Sequence, residues 1–395
     1  MTFHVRVLAI IAMLSITACA TTALPRAMAP VAFADADSVA SSVLAPGVTH
    51  TFVRDTRGPW AIHVIEVDAR RCEPLLEARK PGRALSERAT TSALTGDALV
   101  GVNADFFMLP GGTPVGAHVT GGVTLIGPGD RPVFAITGSA PAPAGWRIGT
   151  AQISGHARVR SDTAAVSQVN RSARATSANR GTTDGLTLFT TWIGDSVPAD
   201  SAARRLMLRV IAGDESGGRG VVVSGDSAAG PSAIGTGTVV LHAREDTREW
   251  ARRRVPGDTI HWSLQVTIGP PDARSTVQEA VGGFPTLLRG GAAVLGEQTV
   301  NASFSSARHP RTAIGWTPDD RLLLVVVDGR QPEWSAGMSL DEMTWLFLSI
   351  GASDALNLDG GGSTAMAVGG TVVNRPSDRE GERAVGNALA LTGCR

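Results

Sequence analysis

Between residues 339 and 366 the spacing of apolar residues changes from that of a helix to that of a strand. Ser339 and Glu342 stand at the spacing of a capping box, which predicts a helix start. Leu340, Met343, Phe347 and Ile350 then recur at helical intervals, and Gly351 falls where a C-terminal cap belongs. The period then drops to two. Along residues 355–359, alternation sends Leu356 and Leu358 to one face and Asn357 and Asp359 to the other. The leucines anchor the strand in a core, and an amide and a carboxylate stand together at its end. Gly360, Gly361 and Gly362 follow, with no side chain to keep a ligand from the backbone, and Ser363 and Thr364 add two hydroxyls. Such a turn can offer N–H groups to an anion, or it can be a plain hairpin. Walker and dinucleotide motifs do not fit, because the glycine spacing is wrong and no Lys follows.

Elsewhere the pattern is that of strands. Residues 61–67 alternate and place His63 among apolar neighbours, as a structural rather than a catalytic residue. Residues 99–107 run from an apolar strand into Asn103, Asp105 and two phenylalanines; Asn103 is the stronger site candidate of the two polar residues. Residues 114–119 and the glycines at 121 and 122 read as a strand and a hairpin turn. Residues 186–191 and 238–243 are short strands among Gly-, Ser- and Asp-rich stretches, notably 213–232, which read as flexible loops. There Asn170, Arg171 and Arg180 are within the range of residues that reach a substrate or are simply solvated. Residues 280–285 form a strand ending in a glycine turn, and His309 and Arg311 precede another strand. Residues 321–327 are continuously apolar, so this strand is buried on both faces; it delivers Asp328 and Arg330 at its tip, as a site or as a salt-bridged turn. A hairpin around Gly369 and Gly370 and a strand at 388–391 close the chain. The expected fold class is α+β: a strand-rich mixed sheet core with few helices, and a β-rich segment inserted at 138–275.

Composition changes the picture in two places. Lys plus Arg and Asp plus Glu both number 36, so no nucleic-acid footprint or polybasic membrane patch is expected. At the start, His4 and Arg6 precede an apolar run at residues 7–16 that ends in Ile16-Thr17-Ala18-Cys19. The run is too short to span a bilayer and has the form of a secretory signal. Cys19 makes it similar to a bacterial lipoprotein signal, with residues 1–18 removed and Cys19 lipidated; the alternative is a plain signal cut near Ala20. Residues 19–48, rich in Ala, Pro, Ser and Val, then read as a tether, and 49–395 as the working domain of an exported envelope protein, facing the periplasm or in the outer membrane. Export leaves Cys72 and Cys394 in an oxidising compartment, as a disulfide or as two free thiols, with no zinc or redox spacing.

Five ordered motifs together resemble the phosphodiester glycosidase family, typified by the lysosomal uncovering enzyme that removes N-acetylglucosamine from the mannose-6-phosphate tag. They are Asn103-Ala104-Asp105-Phe106-Phe107, Gly282-Gly283-Phe284-Pro285, residues 309–315, Asp328-Gly329-Arg330 and residues 357–364. The family often has Gly where this chain has Ala104 and Asp105. The resemblance spans residues 95–392 and implies hydrolysis of the sugar C1–O bond in a sugar-1-phosphodiester, with no metal or other cofactor. It assigns Arg311 and Arg330 to the phosphate, completed by Gly360, Gly361, Gly362, Ser363 and Thr364. Asp359 or Asp328 is then the base or nucleophile, Asn357 and Asn103 hold sugar hydroxyls or orient the base, and His309 is a candidate acid. Two other readings remain: a carbohydrate-binding lipoprotein without catalysis, and a metal-dependent phosphodiesterase.

Overall fold

The computed structural model describes residues 36–138, 145–171, 185–269 and 276–395. The signal, Cys19 and Arg180 lie outside these residues. Two sheets and a helix form the layers that carry the site. The first sheet has eight strands, in the order Ser38–Ala45, Val48–Asp55, Trp60–Asp68, Arg321–Val327, Arg311–Trp316, Asp354–Asn357, Thr286–Arg289 and Ala292–Ala293. The second has five, in the order Thr371–Val372, Met366–Val368, Val100–Asn103, Ala388–Cys394 and Pro74–Arg79.

Ile65, Leu324, Leu356 and Leu358 belong to one buried cluster with Val100, Val102, Met366 and Leu389, which places the main core between the two sheets. The helix Leu340–Ser349 covers the other face of the eight-stranded sheet through Leu340, Met343, Leu346 and Phe347, packed with Val325, Val327 and Ala355. The reciprocal Ser339–Glu342 capping box is present, and Gly351 takes a φ of 83°, so this helix starts and stops where local chemistry dictates. Arg321–Val327 is central and buried on both faces, which is why it carries no alternation.

The middle of the chain builds a barrel that continues, through Trp146–Val159 paired with Pro132–Thr137, into the rest of an eleven-stranded sheet. Trp146–Val159 pairs with both Asp162–Val169 and Thr259–Ile268. Leu186–Phe189, Thr238–Ala243, Arg204–Gly213 and Gly217–Asp226 complete the ring, so seven strands close into a barrel around Leu188, Leu206, Leu208, Leu241 and Trp262. Closure removes the exposed edges an inserted sheet would otherwise present. Two expectations need correction. Part of the Gly-rich stretch 213–232 is a ten-residue strand, because neighbours on both sides supply its hydrogen bonds regardless of its composition. The sheets are antiparallel rather than mixed, save the pairing of Asp162–Val169 with Leu186–Phe189.

Cys72 and Cys394 are disulfide-bonded with Cα atoms 4.8 Å apart, tying the last strand to the turn before Pro74–Arg79. No helix among the described residues is long and apolar enough to cross a membrane.

Candidate functional site

Strand ends from both sheets meet at the glycine turn. Asp354–Asn357 leads out to Asp359, whose N–H donates to the Ala104 carbonyl at 2.8 Å, and Asn103 donates from Nδ2 to the Asp359 carbonyl at 2.6 Å. Asn103 is itself fully engaged: its Oδ1 accepts from the Thr312 hydroxyl at 2.7 Å and from the Ala365 N–H at 3.1 Å. It is therefore a bolt between strands that fixes Asp359, not a free ligand for a sugar.

The Asp359 carboxylate accepts the Gly360 N–H at 2.9 Å and a bond from the Ser363 hydroxyl. Burial pushes this carboxyl up to about 6, against the pull of those two donors and of the Arg383 and Arg131 charges. The proton therefore leaves near neutral pH, where a general base or nucleophile is needed.

Guanidinium groups stand around the turn. A Cβ placed on Gly361 would lie 2.9 Å from Arg330 Nη2, so the missing side chain is what lets Arg330 settle there. Arg330 is exposed and holds a φ of 60°, a left-handed conformation unfavourable for a side-chain-bearing residue. Arg383, bonded to Asp378 at 2.8 and 3.1 Å, packs against Gly362 in the same way. Arg131 lies over the rings of Phe106 and Phe284, 4.8 and 5.3 Å from their centroids.

Arg311 is different. Its Nε donates to the Met338 carbonyl and its Nη2 to those of Phe304 and Ala307, at 2.9 to 3.0 Å, and its side chain is buried beside Gly360. Burial and the Arg330 charge pull it down to about 10. It braces the approach to the turn, whereas Arg330 keeps its guanidinium on the open side. His309 sits 3.4 Å from Arg330 Nη2; burial, then the charges of Arg311 and Arg330, lower its proton affinity. Two neighbouring cations disfavour the charged ring, which counts against His309 as an acid.

Four of the five backbone N–H groups from Gly360 to Thr364 are already engaged within the chain, and that of Gly362 is not among them. The amides of Gly360, Gly361, Ser363 and Thr364 bond to Asp359, Pro310, Gly360 and Gly361, because the turn closes into a 3₁₀ helix over Gly361–Ser363. Beyond that one N–H, charge recognition here rests on side chains. Asn357 donates twice, to the Phe284 carbonyl at 2.7 Å and the Leu358 carbonyl at 2.8 Å, while its Oδ1 and the Thr364 hydroxyl are buried without a partner.

Asp328 is not brought into this group as a reacting acid. Its Oδ2 accepts the Trp334 Nε1–H at 2.7 Å, and its Oδ1 accepts Asn374 Nδ2–H at 3.0 Å and the Arg375 N–H at 2.9 Å. Three protein donors occupy it, so it fastens two loops behind the turn. The carboxyl that does accompany Asp359 is Asp105, 1% exposed, with Oδ2 accepting the Gly116 N–H at 2.6 Å and Oδ1 unpartnered. Sequence reasoning noticed Asp105 but passed over it, along with Arg131 and Arg383. The signal for Asp105 was its place two residues after Asn103; Arg131 and Arg383 lie in irregular segments with no period to mark them. Among the described residues no group of three His, Cys, Asp or Glu is placed to hold a metal.

Residues 212–392 match the family model described as phosphodiester glycosidase. The SPbeta prophage-derived uncharacterized protein YomE of Bacillus subtilis (strain 168) is 44% identical over 87 residues, 22% of this chain and 13% of that protein. The N-acetylglucosamine-1-phosphodiester alpha-N-acetylglucosaminidase of Bos taurus is 40% identical over 68 residues, 17% of this chain and 12% of that enzyme. The matched segments thus span about an eighth of the length of these two relatives. The crystal structure of a hypothetical protein from Synechocystis shares the fold, with a TM-score of 0.69 at 22% identity, over 92% of this chain and 65% of that one.

Proposed function

Starting from a chain that belongs to the phosphodiester glycosidase family, we propose that it hydrolyses the glycosidic C1–O bond of a sugar-1-phosphodiester, with Asp359 as the carboxylate at C1. The observation that carries this reading is the placement of one half-buried, donor-held carboxylate and the exposed guanidinium of Arg330 on either side of the glycine turn. Phosphate is already a good leaving group, so the site needs little acid help and much charge complementarity. Arg330 supplies it, since a guanidinium pairs with two phosphate oxygens at once, while Arg383, whose Nε and Nη2 are held by Asp378, adds charge beside Gly362. The unpartnered Asn357 Oδ1 takes a sugar hydroxyl. Asp359, ionised near neutral pH, either attacks C1 or draws a proton from the attacking water.

In the same reading the chain is exported and anchored through a lipid on Cys19, a tether shorter than residues 19–48 leads to a catalytic body that already includes the strand Ser38–Ala45, and its substrates are envelope glycans. The test is turnover of a GlcNAc-1-phosphodiester by the chain and by Asp359→Asn, with and without chelator. Release of reducing sugar that survives chelator and disappears in the variant is expected. Absence of turnover over a broad panel of sugar phosphodiesters would overturn the proposal in favour of a carbohydrate-binding protein. Chelator-abolished release would overturn it in favour of metal-dependent P–O cleavage.

A further inference from the structure

Asp105 is the one buried acid beside the turn for which the proposed reaction names no task. The chain has made room for it. Gly116 and Gly282 both face its carboxyl, and a Cβ on Gly282 would collide with it. Its backbone N–H is held by Asn387 Oδ1 at 2.8 Å, and Asn387 Nδ2–H in turn donates to the neutral ring of His118 at 3.0 Å. Oδ2 has the Gly116 N–H and Oδ1 has nothing. The charged groups that act on it are Arg131, Arg171 and Asp359; Arg171 is held by bonds from Nη2 to the Val115 and Gly116 carbonyls, both at 3.0 Å.

We infer that Asp105 is a positioning residue that acts through Asp359: the two carboxyls share a single negative charge, Asp105 keeps the proton, and Asp359 is thereby held as the ionised member. Donor supply decides which acid keeps it. Asp359 receives an N–H and a hydroxyl, both favouring the anion, whereas Asp105 receives one N–H and is the more deeply buried. Burial, reinforced by the Asp359 charge, pushes Asp105 up to about 7. When Asp105 does lose its proton, a second negative charge appears next to the one that works, and an anionic substrate meets a site of the wrong sign.

The inference rests on the proposed activity for its first readout only. In the full chain, the pH profile of kcat/KM on a sugar-1-phosphodiester should fall above about pH 7. Asp105→Asn cannot ionise, so its profile, scaled to its own maximum, should stay level for at least one further pH unit. The second readout needs no substrate. A carboxyl raised from 3.8 to about 7 lowers stability as pH rises between those values, because the unfolded chain sheds a proton that the folded chain keeps. In Asp359→Asn the neighbouring charge is gone, so the end of that slope should move to lower pH. Should Asp105→Asn fail to fold, this second arm decides alone. A basic limb unchanged in Asp105→Asn, or a slope unmoved in Asp359→Asn, would overturn the pairing. A chain without turnover but with the moved slope would overturn the proposed activity and leave the pairing standing.

Discussion

Two strands of the eight-stranded sheet that flank Arg311–Trp316, and so run parallel to each other, end in aspartates of opposite character. Arg321–Val327 ends at Asp328, and the segment through Asp354–Asn357 ends at Asp359; both come off buried strands, and both carboxyls are raised by burial. The difference lies in who answers them. Asp328 is met by an indole N–H, an amide N–H and a backbone N–H, none of which can reverse into an acceptor. Asp359 is met by one backbone N–H and a hydroxyl, which can reverse, with cationic side chains beyond. A buried carboxylate whose lone pairs are filled by fixed donors is a fastener. One that keeps part of its capacity in front of cationic side chains is a reagent.

The largest expected contrast is catalytic. Asp359→Asn should lower kcat by about a thousandfold, roughly 4 kcal/mol, while Asp328→Asn stays within about tenfold of the parent in steady-state assays. Next comes stability, where the two variants should move in opposite directions in urea unfolding at pH 7.5. Asn at 359 keeps the bond from Gly360 and lets Ser363 turn round, so the variant gains stability, by about 3 kcal/mol at most, by not burying a charge. The sign follows from a folded pKa above the free value: the gain is present above about pH 6 and gone below about pH 4. Asn at 328 sets its own N–H groups against fixed donors, which should cost about 2 kcal/mol. A third, smaller effect concerns the cations. Arg330→Ala should raise KM by about thirtyfold, roughly 2 kcal/mol, and Arg311→Lys should act mainly on stability. Smallest is His309→Gln, expected within about threefold of the parent kcat with the shape of the pH profile intact, since burial and two neighbouring cations already disfavour the charged ring.

What could be read beforehand follows the same division between local and distant causes. The helix Leu340–Ser349 has its cap, its period and its stop within a dozen residues, so sequence alone placed it. The placement of Leu356 and Leu358 in the core, and of Asp359 at the strand tip, needed only a period of two. The roles of the acids were a different matter. Asp328 and Asp359 look alike in a sequence because Trp334, Asn374 and Arg375, which separate them, arrive from other loops. Asp105 stands in the sequence as the weaker neighbour of Asn103, and its burial against Gly116 and Gly282 follows only from folding. Arg383 and Arg131 are set by packing on Gly362 and on two phenylalanines, and no spacing announces either. The strand Gly217–Asp226 was hidden for a related reason: its partners, not its residues, make it a strand.

The account stands or falls on where the bond breaks, because cations around the turn and a carboxylate at its edge divide the substrate into phosphate and sugar carbon. Hydrolysis of a GlcNAc-1-phosphodiester in oxygen-18 water, followed by mass analysis of both products, reads this directly. Label in the sugar hydroxyl at C1, with none in the phosphate, is the predicted result. Label in the phosphate would mean attack at phosphorus and would contradict the role given to Asp359.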